Sequence, residues 1–272
     1  MTLDEDVLAV LSGLVVSPTG SVRIVERLDR AMYTKANKAL EALGFEWSRK
    51  HQSHVFDVGN AVAEDQAELL ARERLERAIM TGEVTTDADL GFFPTPEPLA
   101  ADLVAMADIR SHHAVLEPSA GDGALYLSII NGHPQKRVGF EAPTFVALVE
   151  RDEARRHKLK LIVRSCDEVV ENEDFMDFEE SEPYDRVVMN PPFCKVGQGD
   201  HLDHVKRAWL MLASGGVLVS VLPAGVEFRQ DKRHVQFRAW IEKYGGELNR
   251  LPEDSFKSSG TSVRTCVLRI RR

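Results

Sequence analysis

The chain has 272 residues, enough for one large α/β domain and a smaller module. Its 43% hydrophobic and 28% charged content is that of a globular protein, and it has no apolar run long enough to span a membrane. The acidic start MTLDEDVLAV lacks the basic n-region of a signal peptide, so the expected location is cytoplasmic, and the net charge of −9 argues at first sight against a nucleic-acid partner.

In chain order, residues from about 22 to 58 read as a compact unit. SVRIVERLDRAMYTKANKALEALG carries Leu28, Met32, Ala36, Leu40 and Leu43 at helical spacing, with Gly44 as a stop. FEWSRKHQSHVFDV alternates apolar and polar residues on either side of a basic tip and predicts a hairpin. A helix followed by a basic-tipped hairpin is reminiscent of a winged helix. AEDQAELLARERLERAIMTG predicts a charged helix closed by Gly82, and EVTTDADLG a linker. We place the boundary so that 1–88 form an N-terminal helical and hairpin module, serving DNA recognition or dimerisation, and 89–272 the main domain. In the latter, HAVLE, FVALVE, DEVVENEDF, YDRVVMN, GVLVSVLPAG and TSVRTCVLRI are strand-like runs alternating with helical patterns. That alternation predicts a doubly wound, mostly parallel sheet, with the final strand as an antiparallel edge. Cys166, Cys194 and Cys266 have no ligand spacing, so free thiols and no structural metal are expected.

Chemistry concentrates at the ends of these strands. VLEPSAGDGAL (115–125) reads as strand, Gly-containing turn and helix, with Gly121 and Gly123 allowing close backbone approach to a ligand. The six-residue GxGxxG of nicotinamide sites is absent, because Tyr126 stands where its third Gly would fall. FVALVE ends in Glu150, placed to accept hydrogen bonds from both hydroxyls of a ribose. NEDFMDF supplies Asp174, a candidate acceptor for an adenine amino group, and Phe175 to pack the ring. NPPF follows the next strand. Asn190 Oδ1 and the Pro191 carbonyl, made rigid by Pro191 and Pro192, would accept the two N–H groups of an aryl amine and localise its lone pair. Phe193 offers a face for a base removed from its stack.

The ordered set FFPTP, LEPSAGDGAL, VERD, EDFM and NPPF resembles the class I S-adenosylmethionine-dependent DNA adenine-N6 methyltransferases of the gamma arrangement, over residues 90–270. The resemblance implies a Rossmann-like seven-stranded sheet and S-adenosylmethionine as cofactor. It implies that Phe93, Pro94, Thr95 and Pro96 border the methionine end, with Glu117, Pro118, Ser119, Ala120, Gly121 and Gly123 around it. Glu150 and Arg151 fall at the ribose, Asp174 and Phe175 at the adenine, and Asn190, Pro191, Pro192 and Phe193 form the catalytic motif. Phe in the last place departs from the more usual Tyr. Many gamma enzymes carry a long C-terminal recognition domain that is not seen here, and the chain rather resembles orphan, phage- or plasmid-type enzymes. The alternatives are methylation of guanine N2 in RNA or of a glutamine amide in protein, and an idle methyltransferase fold acting as a DNA-binding regulator.

Charge distribution points to double-stranded DNA. Val22–Phe56 holds seven Lys/Arg against four Asp/Glu, and Val226–Arg272 eleven against six, on an otherwise acidic body. The candidate contacts are Lys35, Lys38, Arg49, Lys50, His51, Lys195, Arg229, Lys232 and Arg233. A homodimer would extend the footprint of so short a chain over a palindromic site.

Overall fold

The computed structural model describes residues 2–56, 64–84, 93–132, 140–170, 174–180, 182–193, 200–257 and 263–272. They fall into two compact units, Met1–Leu90 and Gly91–Arg272.

The first unit contains α1 (Glu5–Ser12), β1 (Ser21–Val22), α2 (Arg30–Ala42), β2 (Phe45–Ser48), β3 (Ser53–Phe56) and α3 (Glu64–Thr81). The expected hairpin is β2–β3, paired from Phe45↔Phe56 to Ser48↔Ser53. The helix expected from Leu28 onward begins only at Arg30. The Asp29 carboxylate accepts the Met32 N–H at 2.8 Å and caps α2, while Ser21 and Val22 pair instead with β3 as a third strand. Helix α1, which the expectation omitted, has the same kind of signal: Asp4 accepts from Val7 N at 3.0 Å, and Val7 and Leu11 are buried. Ala36, Leu40, Phe45 and Phe56 form the small core, with Phe45 and Phe56 edge to face at 5.2 Å.

The second unit contains α4 (Glu97–Ala107), β4 (Ala114–Glu117), α5 (Ala124–Asn131), β5 (Phe145–Val149), α6 (Glu153–Ile162), β6 (Glu168–Val170) and β7 (Tyr184–Met189). It continues with α7 (Asp200–Leu210), β8 (Leu212–Pro223), α8 (Gly225–Phe228), α9 (Lys232–Lys243), β9 (Glu247–Arg250) and β10 (Thr265–Arg271). Its seven-stranded sheet has the order β6-β5-β4-β7-β8-β10-β9. Successive residues alternate strictly between two cores. Val115, Val146, Leu148, Val188, Val219 and Val267 face one layer with α4 and α5. Leu116, Ala147, Val149, Val187, Met189, Leu218 and Leu268 face the other, with α7 and α9. A sheet buried on both faces therefore reads as continuous apolar runs.

One expectation is corrected. Strand β10 is antiparallel, but it lies inside the sheet, paired with β8 on one side and β9 on the other. Cys266, Val267, Leu268 and Ile270 are buried, so β10 needs cover on both faces, whereas the polar ELNR of β9 tolerates the edge.

Candidate functional site

The chain runs outward from β4 to β5 and β6, then returns to pair β7 against the other side of β4. The carboxyl ends of β4 and β7 thus flank the point where the winding reverses, the place where open α/β sheets bind ligands.

The turn after β4 is held from β5. Ala120 N donates to Val149 O at 3.0 Å, and Gly121 N, with φ 57°, donates to Glu150 Oε2 at 2.8 Å. The other Glu150 oxygen accepts from Asp152 N at 2.8 Å, and Arg155 Nη1 lies 3.9 Å from it. Burial raises the Glu150 carboxyl above its ordinary range, against the opposing pull of Arg155 and the two amides. Both Glu150 oxygens therefore already accept from backbone amides and staple the turn. Gly123 has a reason within the fold that the sequence did not show. At φ 87°, a Cβ there would meet Ile162 Cδ1 at 2.7 Å and Leu159 Cδ2 at 3.1 Å, so its requirement is backbone conformation and packing of α6. Tyr126 is fully buried, and its hydroxyl donates to Asp167 at 2.7 Å, which gives a side chain at that position a structural role.

Glu117, at the end of β4, is 1% exposed, and its Oε2 has no hydrogen-bond partner. Burial first, then the nearby Asp122 and Glu150 charges, push its carboxyl well above the usual carboxylate range. Sequence reasoning did not include Asp122, though it sits in the same GDG turn. A buried acid beside two further acids suits a ligand that carries positive charge. Pro118 and Ala120 are buried beside it and Ser119 is half-buried.

Asp174 Oδ1 accepts from Met176 N at 3.0 Å, and Arg151 Nη1 lies 3.5 Å from Asp174 Oδ2 at the surface. Phe175 is buried in the second core, its ring 5.6 Å from that of His204 and its carbonyl bonded by Arg207 Nε at 2.9 Å. It is 3% exposed, so the ring expected to pack against an adenine is itself part of the core.

The Asn190 side chain is oriented by the segment before α4. Its Nδ2 donates to Phe93 O at 2.9 Å and to Thr95 Oγ1 at 3.1 Å. A carbonyl can only accept, so the NH₂ must face Phe93 and Oδ1 must face away. Oδ1 is buried without a hydrogen-bond partner. An orphaned acceptor costs about 1–3 kcal/mol and in a folded protein calls for a reason. Pro191 is buried, and Pro192 is half-buried. Phe193 is half-buried between Phe93, 5.7 Å away, and Phe256, 6.3 Å away. Phe256 lies far along the sequence and was not expected at the site. Pro94 precedes Thr95, and Pro96 caps α4. The structure thus joins FPTP to NPPF, which sequence order alone did not require. A separate cleft of about 620 Å³, lined by Phe178, Pro183, Leu212 and Arg272 among others, lies at the opposite end of β7 and β8 and contains none of the expected site residues.

Of the candidate DNA contacts, Arg49, Lys50 and His51 are exposed at the β2–β3 turn, and Lys38 on α2 and Lys232 on α9 are exposed too. Lys35 is paired with Asp4 at 2.7 Å and Arg233 with Asp203. Arg229 is half-buried at the end of α8, and Lys195 lies outside the described residues, as does most of the CKVGQGDH segment expected to close over a base. Much of the C-terminal positive charge is committed internally: Arg250 pairs with Glu227 at 2.7 Å and Arg264 with Glu253 at 2.9 Å, and Arg269 donates to Met106 O. Among the described residues no cluster of three His, Cys, Asp or Glu groups could hold a metal, and no helix is long and apolar enough to cross a membrane.

The fold is that of the Rossmann-like class I methyltransferases. A protein from Listeria monocytogenes described as a class I S-adenosylmethionine-dependent methyltransferase superposes with a TM-score of 0.55 at 15% identity, over 98% of this chain and 87% of that one. The type I restriction-modification methyltransferase subunit of Streptococcus thermophilus gives 0.53 at 18% identity, over 79% of this chain and 51% of that one. The modification subunit of a protein described as a type I restriction enzyme, from Vibrio vulnificus YJ016, gives 0.51 at 15% identity, over 100% of this chain and 65% of that one. No protein-family model matches the sequence, and neither does any curated protein.

Proposed function

We infer that this chain transfers a methyl group from S-adenosylmethionine to the N6 amino group of adenine in double-stranded DNA. The observation that carries the reading is the buried, unpartnered Asn190 Oδ1, whose amide is aimed by Phe93 O and Thr95 Oγ1 at the carboxyl end of β7. Glu117, Gly121, Glu150 and Asp174, on three successive strand ends, would hold the cofactor. The unpartnered Glu117 Oε2 and its acidic neighbours fit the positive charge of an ammonium and a sulfonium. When bound, the cofactor supplies an electrophilic methyl group.

The chain's own part is to bind and orient the amine. An exocyclic aryl amine is a poor nucleophile because its lone pair is delocalised into the ring. Asn190 Oδ1 and the Pro191 carbonyl would take its two N–H groups and turn the lone pair out of the ring plane. A fixed acceptor of this kind needs no reorganisation as the nitrogen becomes cationic. The proton becomes acidic only as the new N–C bond forms, so no general base is required in advance. An amine inside a duplex cannot reach this site, so the base is flipped, with Phe193 and Phe93 as its apolar wall. The N-terminal unit, with Arg49, Lys50 and His51 exposed on its hairpin, would grip the duplex, and a homodimer would match a palindromic site.

The test is incubation with tritiated methyl donor and duplex DNA, followed by nuclease digestion and nucleoside identification. N6-methyladenine is the expected product. N4-methylcytosine, label confined to RNA guanine or to protein, or no transfer at all would each overturn the assignment. Light scattering with and without DNA reads the assembly, and a strictly monomeric mass rejects the dimer.

A further inference from the structure

A second constellation lies within the N-terminal unit. Arg23, Ile24, Tyr33, Trp47, Gln52 and His54 line a hollow of about 300 Å³, at the small end of the range, about 300–1,000 Å³, that accommodates small ligands. Two of its walls are large aromatics left in solvent, Tyr33 at 41% and Trp47 at 46% exposure. Its floor is His54, 1% exposed and opposite Trp47 in the β2–β3 register, with the two rings edge to face at 5.0 Å.

The protonation of His54 follows from its neighbours. Asn37 Nδ2 donates to Glu41 Oε1 at 2.6 Å, which turns Asn37 Oδ1 towards His54. Asn37 Oδ1 accepts only, so His54 Nε2, 2.7 Å away, carries the proton. Burial lowers the imidazole's proton affinity and keeps the ring neutral. Nδ1 is then a lone-pair acceptor, buried without a hydrogen-bond partner. The Glu41–Asn37–His54 chain thus ends in a buried, unpartnered acceptor on a residue that lines the aromatic hollow. Arg23, which lines the hollow, donates from Nη2 to His51 O at 3.2 Å, and Arg49 and Lys50 are exposed in the β2–β3 turn that also carries Gln52.

We propose that this hollow is a nucleobase-binding site, taking one unstacked, amino-bearing base of a DNA strand between Trp47 and Tyr33, with His54 Nδ1 accepting from its amino group and Arg23, Arg49 and Lys50 along the flanking phosphates. Stacking on exposed aromatics is tolerant of base identity, and the basic residues complement a phosphodiester backbone. The acceptor adds a preference, since adenine and cytosine carry an exocyclic NH₂ and thymine does not. The site rests on the reading of DNA as the substrate class, and it is separate in residues and in purpose from the methyl-transfer site.

The test titrates the full chain, without cofactor, with short oligo-dC and oligo-dT while following tryptophan fluorescence. Oligo-dC is expected to quench and to bind more tightly than oligo-dT. Trp47→Ala should weaken oligo-dC binding by about tenfold, within the range of base–aromatic stacking. His54→Phe keeps a buried ring but removes the acceptor, and should erase the dC-over-dT preference with an unchanged circular dichroism spectrum. Unchanged affinity in a folded Trp47→Ala protein overturns the site, as does equal dC and dT binding in the wild type. A parallel methyl-transfer assay separates the two readings. DNA methylation with Trp47-independent binding sinks only this site, whereas absence of methylation with Trp47-dependent binding sinks only the enzymatic assignment.

Discussion

Replacing Asn190 with Ala removes a group that the folded state holds at a cost. The side chain makes two hydrogen bonds, to Phe93 O at 2.9 Å and Thr95 Oγ1 at 3.1 Å, each worth about 1 kcal/mol net. It also buries Oδ1 without a partner, which costs about 1–3 kcal/mol. The two terms nearly cancel, so the variant should keep a melting temperature within about 4 °C of the parent. Catalysis has no such offset. Loss of a fixed acceptor in the transition state is worth about 3–4 kcal/mol by analogy with oxyanion-hole donors, so single-turnover methylation should slow by roughly 10²–10³-fold. Cofactor affinity, read by calorimetry, should not move. A folded Asn190→Ala protein that methylates within tenfold of the parent would show that the orphaned acceptor serves no purpose in the reaction.

The remaining predictions concern charge, conformation and DNA. Glu117 has a raised pKa in the folded state, so the fold retains its proton above the unfolded pKa and stability declines as pH rises through the folded value. A cationic cofactor favours the ionised form, so its affinity should rise over the same interval with release of a proton; Glu117→Gln should abolish both dependences in calorimetry across buffers. Gly123→Ala must adopt φ 87° and push its methyl to 2.7 Å from Ile162 Cδ1, so denaturant unfolding should report a loss of at least about 1–3 kcal/mol. The double variant Arg49→Ala, Lys50→Ala should bind duplex more weakly, with the slope of log K against log salt reduced by about 1.8 if both contact phosphates. An unchanged slope would place the duplex elsewhere.

Most of the second unit's architecture could be read along the chain, because a parallel sheet covered on both faces demands apolar side chains at consecutive positions. HAVLE, FVALVE and YDRVVMN satisfy that demand and became β4, β5 and β7. The same rule explains the error at the C-terminus: TSVRTCVLRI is as continuously apolar as a central strand, and the structure treats it as one, leaving the edge to polar ELNR. In the first unit, helical periodicity suggested an early start to α2, but a single capping carboxylate, Asp29, decided where the helix begins.

The sequence by itself determined the succession of strands, their mostly parallel sheet and the polar segments that follow β4, β5, β6 and β7, since these depend on local patterning and turn chemistry. Only the tertiary structure decided what each polar group does. It bonded Asn190 to Phe93 and Thr95, 97 and 95 residues away, and so left Oδ1 as the free acceptor. It gave Gly123 to α6 packing and Phe175 to the core, and it paired Lys35, Arg233, Arg250 and Arg264 with acids that a count of charges had set against them. Hydrogen bonds and ion pairs act over a few ångströms whatever the separation along the chain, so composition can reveal an excess of charge but not which charges remain for a partner.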